Sequence, residues 1–130
     1  MGNEISILGL YGLVVIVTIF IQATAAAAQV GAMVLLKPRD NLQLTGVAAR
    51  LDRAQLNSIV ALAMFAPAIM ILNQMGMETP ATLFCAQAFL IARVLYVPLY
   101  AFGIAGLRTL AWTVGILATA WLYLIGLGWV

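Results

Sequence analysis

The sequence predicts an all-α integral membrane protein, a four-helix up-down-up-down bundle formed by residues 1–130 as one domain. Three observations carry this prediction. Of the 130 residues, 65% are hydrophobic and only 8% charged, and mean hydropathy is +1.12, whereas a water-soluble domain needs far more polar surface. The apolar residues fall into four stretches, each long enough to cross about 30 Å of hydrocarbon. All six cations (Lys37, Arg39, Arg50, Arg53, Arg93 and Arg108) can be placed on one side of such a bundle, four in or beside the first polar break and two flanking the last. Basic residues near span ends mark the cytoplasmic face, so both termini are expected on the non-cytoplasmic side.

The first helix is expected from Ile5 to Leu36, a run without a charged residue. At 1.5 Å per residue it would reach about 48 Å, so it should tilt or project beyond the membrane. Its alanine-rich part, Ala23 to Ala28 broken by Thr24, suits close helix packing. Gln22 and Gln29 are seven residues apart and share a face expected to point into protein. Residues 37–46 form the one real loop, with Pro38, Asp40 and Asn41, and Thr45 is placed to cap the helix that follows. That second helix is expected from Gly46 to Met75, kinked at Pro67.

Glu78, Thr79 and Pro80 make a short outer turn, with Pro80 suited to a first helical turn. The third helix is expected from Ala81 to Phe102, with Pro98 loosening its inner end. Residues 103–106 make an inner turn, and the fourth helix runs from Leu107 to Val130. Trp129 and Tyr123 lie toward its outer end, where amphipathic rings anchor well.

Composition also excludes function classes. There is no histidine, which removes imidazole-based catalysis and histidine metal sites. The single cysteine, Cys85, can form neither an intramolecular disulfide nor a metal cluster by itself, and it reads as a small packing residue. No metal site is expected. The few cations lie beside apolar spans rather than in a solvent-facing stripe, so no nucleic-acid partner is expected. No basic region precedes the first apolar stretch, so no signal peptide is expected.

Two polar stripes carry the candidate chemistry. Arg50, Arg53 and Asn57 follow one another at i, i+3 and i+7 on the second helix, with Gln55 nearby and Val60 next in the series. Arg93, Tyr96 and Tyr100 repeat that spacing on the third helix, and Arg108 and Thr109 open the fourth. The bundle brings all of these to a common depth at the cationic end. Ionisable groups at membrane depth need partners or a ligand. Forked guanidinium donors fit carboxylates, and tyrosine hydroxyls can orient a thiol. Arg50 and Lys37 read better as anchors to anionic headgroups. Trp112, one turn after Arg108, reads as an interhelical packing residue.

The run Arg50-Leu51-Asp52-Arg53-Ala54-Gln55-Leu56-Asn57 resembles the second-helix signature of the MAPEG proteins, membrane-associated proteins in eicosanoid and glutathione metabolism. The runs Ala92 to Tyr100 and Gly106 to Leu110 resemble that family's third-helix end and fourth-helix start. The resemblance covers nearly the whole chain. It implies a homotrimer in a membrane, here a bacterial inner membrane, with glutathione bound between subunits near the cytoplasmic end. It implies that Arg53, Gln55 and Asn57 hold the tripeptide, that Arg93, Tyr96 and Tyr100 line the same pocket, and that Arg108 stabilises the thiolate. The implied activity is a glutathione-dependent transferase or peroxidase acting on lipophilic electrophiles.

One departure stands against this. The family's enzymes usually carry glutamate three residues after the asparagine, and here that position is Val60. The alternative is therefore a non-catalytic member that binds membrane lipid or serves as an accessory subunit of a larger membrane complex. A proton-coupled multidrug exporter of similar length would need a carboxylate inside the membrane, and Glu4, Asp40, Asp52 and Glu78 all fall at span ends or in loops.

Overall fold

The computed structural model describes residues 3–36 and 43–130. Lys37, Pro38, Arg39, Asp40 and Asn41 lie outside the described residues. Five helices follow in order: α1 (Glu4–Val30), α2 (Ala32–Leu35), α3 (Gly46–Met75), α4 (Pro80–Ala101) and α5 (Ala105–Gly126). The four long ones are each long and apolar enough to cross a membrane, and the chain is an integral membrane protein.

Helix α1 starts where Asn3 Oδ1 accepts a hydrogen bond from the Ser6 amide at 2.8 Å, with Glu4 in the first turn. Both features favour a helix N-terminus. The single long helix expected up to Leu36 is not formed. Gly31, at φ 86° and ψ 147°, ends α1 and leaves α2 as a single short turn. Only glycine enters that region without steric cost, so the break is written in one residue. At the far end of α3, Gly76 takes the left-handed conformation at φ 63°. The Met77 amide then reaches back to the Leu72 carbonyl at 3.0 Å, closing the helix end.

Pro80 opens α4 as expected, behind a reciprocal cap in which Thr79 and Thr82 each accept from the other's amide. Pro67 and Pro98 both lie inside continuous helices. Helix α5 begins two residues earlier than expected, at Ala105, and ends at Gly126 rather than Val130.

Side-chain bonds fix the relative directions of the helices. Gln29 near the end of α1 exchanges two hydrogen bonds with the backbone of Thr45, at 2.8 and 2.9 Å. Thr45 occupies the N-cap position of α3, but its side chain makes no capping bond; the glutamine amide serves its backbone instead. Arg50 at the start of α3 reaches the carbonyl of Ala101 at the end of α4. Glu4 at the start of α1 meets Thr82 at the start of α4. The bundle therefore runs up-down-up-down. Helices α3 and α4 each touch the other three long helices, whereas α1 and α5 do not touch each other.

The core is small and aromatic. The rings of Phe65 and Phe89 stack at 3.9 Å and 5°, and Tyr11 meets both edge-on. Around them, Ala61, Ala68 and Ala86 are fully or nearly buried, and their small side chains let the helices approach. At Gly126 α5 approaches α3 closely: a Cβ there would lie 3.1 Å from Cγ2 of Ile71. Large apolar side chains such as Leu13, Phe20, Phe84, Ile91 and Leu117 face outward, as expected where the surrounding medium is hydrocarbon. Tyr123 is partly buried, donating to the Met64 carbonyl at 2.6 Å, while Trp129 is 73% exposed and suits the anchoring role.

Candidate functional site

At the end shared by the start of α3, the end of α4 and the start of α5, four arginines meet aromatic rings and carbonyls. The Arg108 guanidinium lies over the Tyr100 ring at 4.4 Å, and that of Arg53 over the same ring at 5.8 Å. Arg53 Nε also donates to the Tyr100 hydroxyl at 3.2 Å. Tyr100 packs against Tyr96 with ring centroids 5.5 Å apart, and Arg93 lies over Tyr96 at 4.1 Å. Cations and rings thus alternate along one face, which holds the guanidinium groups apart while ring faces stabilise them.

None of the described arginines forms an ion pair with a carboxylate. Asp52, the acid nearest in sequence, accepts instead from Gln55 Nε2 at 3.0 Å. Among the described residues the cluster is therefore a field of positive charge without an ion-paired counter-charge, and an anion is the ligand that it favours.

Two cavities adjoin the cluster. The one nearer the helix ends, about 210 Å³, is lined by Asn57, Tyr96, Tyr100, Arg108, Thr109 and Trp112. The deeper one, about 230 Å³, is walled by Asn57, Val60, Met64, Arg93, Trp112 and Thr119 together with core residues. Asn57 and Trp112 line both. No side-chain hydrogen bond to another described residue occupies Asn57, so its amide is free to serve a ligand.

The sequence-predicted site residues thus divide. Asn57, Tyr96, Tyr100 and Arg108 converge on the outer cavity, and Arg53 is tied to its rim through Tyr100. Arg93 belongs to the deeper cavity, and Gln55 lines neither. Val60 lies in the Arg93 cavity and not beside Arg53, so a carboxylate at position 60 would serve Arg93. Trp112 does not cover Arg108, whose ring partner is Tyr100; it walls both cavities instead.

Arg50 differs from its sequence reading. Half-buried, it donates from Nε to the Ala101 carbonyl at 2.8 Å. A cation on the last carbonyls of a helix satisfies an orphan acceptor and the helix dipole together, so Arg50 clamps α4 to α3. Sequence reasoning missed Ser58, Tyr11 and Gly115. Ser58 Oγ accepts from Arg93 Nη2 at 3.4 Å, and the Tyr11 hydroxyl donates to the Ser58 carbonyl at 2.9 Å beside Arg93. A Cβ on Gly115 would lie 3.3 Å from Arg93 Cδ, so the glycine makes room for the arginine stem. The available signal was that Tyr11 and Ser58 are polar groups inside apolar spans.

Fold and site together define a four-span helical membrane protein with a cationic, tyrosine-lined pocket at one end of its bundle. Residues 7–128 match the model of the MAPEG family, and the chain belongs to that family. No curated protein and no solved structure matches it.

Proposed function

We propose that the protein binds glutathione in the outer cavity and activates its thiol toward lipophilic electrophiles that arrive through the bilayer. The observation carrying this reading is the pair of guanidinium groups, Arg53 and Arg108, that both meet the Tyr100 ring next to an unfilled Asn57 amide. Glutathione supplies two carboxylates, which suit Arg53, and a thiol. A free thiol has a pKa near about 8.5, and an adjacent guanidinium favours its anion. Lowering that value by about two units corresponds to roughly 2.7 kcal/mol. The Arg108 charge would hold the thiolate, whose sulfur forms a bond to the electrophilic carbon as the leaving group departs with its electron pair. Gln55, turned to Asp52 here, contributes from a neighbouring subunit in the proposed homotrimer. In the membrane, proposed to be a bacterial inner membrane, the cationic end faces the cytoplasm, where glutathione is found.

Titration calorimetry of the detergent-solubilised protein tests this. Glutathione should bind, and Arg53→Ala should abolish or strongly weaken binding. No heat at millimolar glutathione would reject the proposal. One observation favours a second reading: Val60 leaves the deeper cavity without a carboxylate, which suits a non-catalytic lipid-binding member or an accessory subunit of a larger membrane complex. Stoichiometric partners that copurify with an inactive protein would select it.

A further inference from the structure

Gln87 places an amide on the outer surface of the bundle, where hydrocarbon is the surrounding medium. It lies seven residues after Pro80, the first residue of α4, which puts it roughly 10 Å inside that helix end. It is exposed, and its side chain makes no hydrogen bond to another described residue. Thr24 and Thr113, also inside spans, return their hydroxyls to carbonyls of their own helices; Gln87 makes no such bond. An amide left to acyl chains without a partner is costly. Around it runs a groove of about 670 Å³ between α4 and α5, with Phe84, Ile91 and Leu95 on one wall and Leu110 and Val114 on the other. Gln87 is the one polar residue that lines it. Along α4, the exposed residues Phe84, Gln87, Ile91 and Val94 follow at steps of three, four and three, the seam of two parallel helices in register.

We infer that this face is a contact between two copies of the chain, related by a two-fold axis along the membrane normal, in which the Gln87 amides of the two α4 helices exchange hydrogen bonds. Copies inserted in the same orientation carry Gln87 at the same depth. An amide holds both donors and an acceptor, so it complements itself. A lipid chain fills apolar walls but gives the amide nothing to bond. A helix of another protein needs a polar side chain at this one depth, whereas a second copy brings it by symmetry. An interhelical amide pair in a membrane also fixes register, because sliding the helices apart leaves both amides unbonded. No α3 residue lines the groove. The contact is therefore separate from the α3 surface through which Gln55 serves the proposed homotrimer, and it links trimers side by side. It does not depend on glutathione binding.

The test is disulfide trapping of the full chain in phospholipid vesicles. Cys85→Ala removes the single cysteine, and Ile91→Cys places a thiol one turn along the seam while Gln87 stays. Oxidation with copper phenanthroline should give a covalent dimer. Its yield across a series of lipid dilutions gives the association constant. Adding Gln87→Leu should lower that constant about three- to eightfold, the loss expected for one or two interhelical amide bonds. Gln87 is exposed and without a side-chain bond, so Gln87→Leu should keep the helical circular-dichroism spectrum and melting temperature. No covalent dimer, or an undiminished constant in Gln87→Leu, would overturn the inference and leave the groove to lipid or to other helices. Light scattering in detergent supplies a second check. If Gln87→Leu turns a trimer into monomers, Gln87 lies on a three-fold seam and the two-fold contact is rejected. Glutathione is absent throughout, so failure here leaves the glutathione proposal standing, and failure of the calorimetric titration leaves this inference standing.

Discussion

The two ends of the bundle treat charge in opposite ways. At one end, Arg50, Arg53, Arg93 and Arg108 meet carbonyls, hydroxyls and ring faces. At the other, Glu4 is buried, accepts from the Thr82 hydroxyl at 2.6 Å and hydrogen-bonds Glu78. Among the described residues, neither end pairs its charge with an opposite one. The acidic end closes on itself, because two carboxyls can share a proton. The described guanidinium groups meet only neutral partners, which is the reason for proposing a ligand at the cationic end. The binding function that we propose is therefore placed at the cationic end, whereas the Glu4–Thr82 bond fastens α1 to α4 at the other.

The sharpest way to break this contrast is at Arg108. If its charge holds a thiolate, Arg108→Ala should lower glutathione-dependent turnover of 1-chloro-2,4-dinitrobenzene by about 25-fold at neutral pH, because a thiol pKa near about 8.5 leaves about 3% thiolate there and one near about 6.5 about 76%. The loss should shrink as pH rises and the free thiol ionises unaided. A variant equally impaired at every pH would assign Arg108 to structure instead.

A smaller effect is expected at Arg50, which the contrast treats as a clamp and not a ligand. Arg50→Ala removes a charged donor from the Ala101 carbonyl, worth roughly 1.5–3 kcal/mol in a buried setting and less at this half-buried one. The melting temperature in detergent should fall, while the affinity of the folded protein for glutathione changes little. Loss of binding at unchanged stability would move Arg50 into the site.

Tyr100 separates the two roles that the cluster gives one side chain. Tyr100→Phe keeps the ring under Arg108 but removes the acceptor for Arg53 Nε. The bond is charge-assisted but exposed and long at 3.2 Å, so glutathione affinity should weaken roughly two- to tenfold with turnover at saturation retained. Calorimetry beside a saturation curve distinguishes this from loss of the thiolate.

Much of the fold was legible because the bilayer imposes long apolar runs, and the polar breaks between them showed where the chain turns. The break at Gly31 was not: within an alanine-rich run a single glycine is compatible with an unbroken helix, and the backbone conformation decides. Arg53, Asn57, Tyr96, Tyr100 and Arg108 were legible as a group because helical spacing places them on facing stripes. The division between the two cavities was not. It depends on which way side chains turn at equal depth, so that Val60 falls beside Arg93 while Gln55 turns to Asp52. Arg50 was misread because charge and position alone look the same for a headgroup anchor and for a cation on a neighbouring helix's last carbonyl.

The mildest perturbation lies at the acidic end. The hydrogen bond that protonated Glu78 donates to Glu4, with burial and the adjacent Glu4 charge adding to it, raises the Glu78 pKa above its ordinary 4.5. A carboxyl whose folded pKa is raised contributes stability fully present below pH 4.5 and lost as pH rises through the raised value. Relative to Glu78→Gln, hydrogen exchange in the first turn of α1 should therefore be slowest in acid and quicken toward neutrality, with a shallow accompanying fall in melting temperature. Glu78→Gln carries an amide that donates to Glu4 at every pH, so it should flatten that dependence and leave glutathione binding at the opposite end unchanged. A pH dependence that survives in Glu78→Gln would mean that the two carboxyls do not share a proton, and the acidic end would then need a cation, like its counterpart's need for an anion.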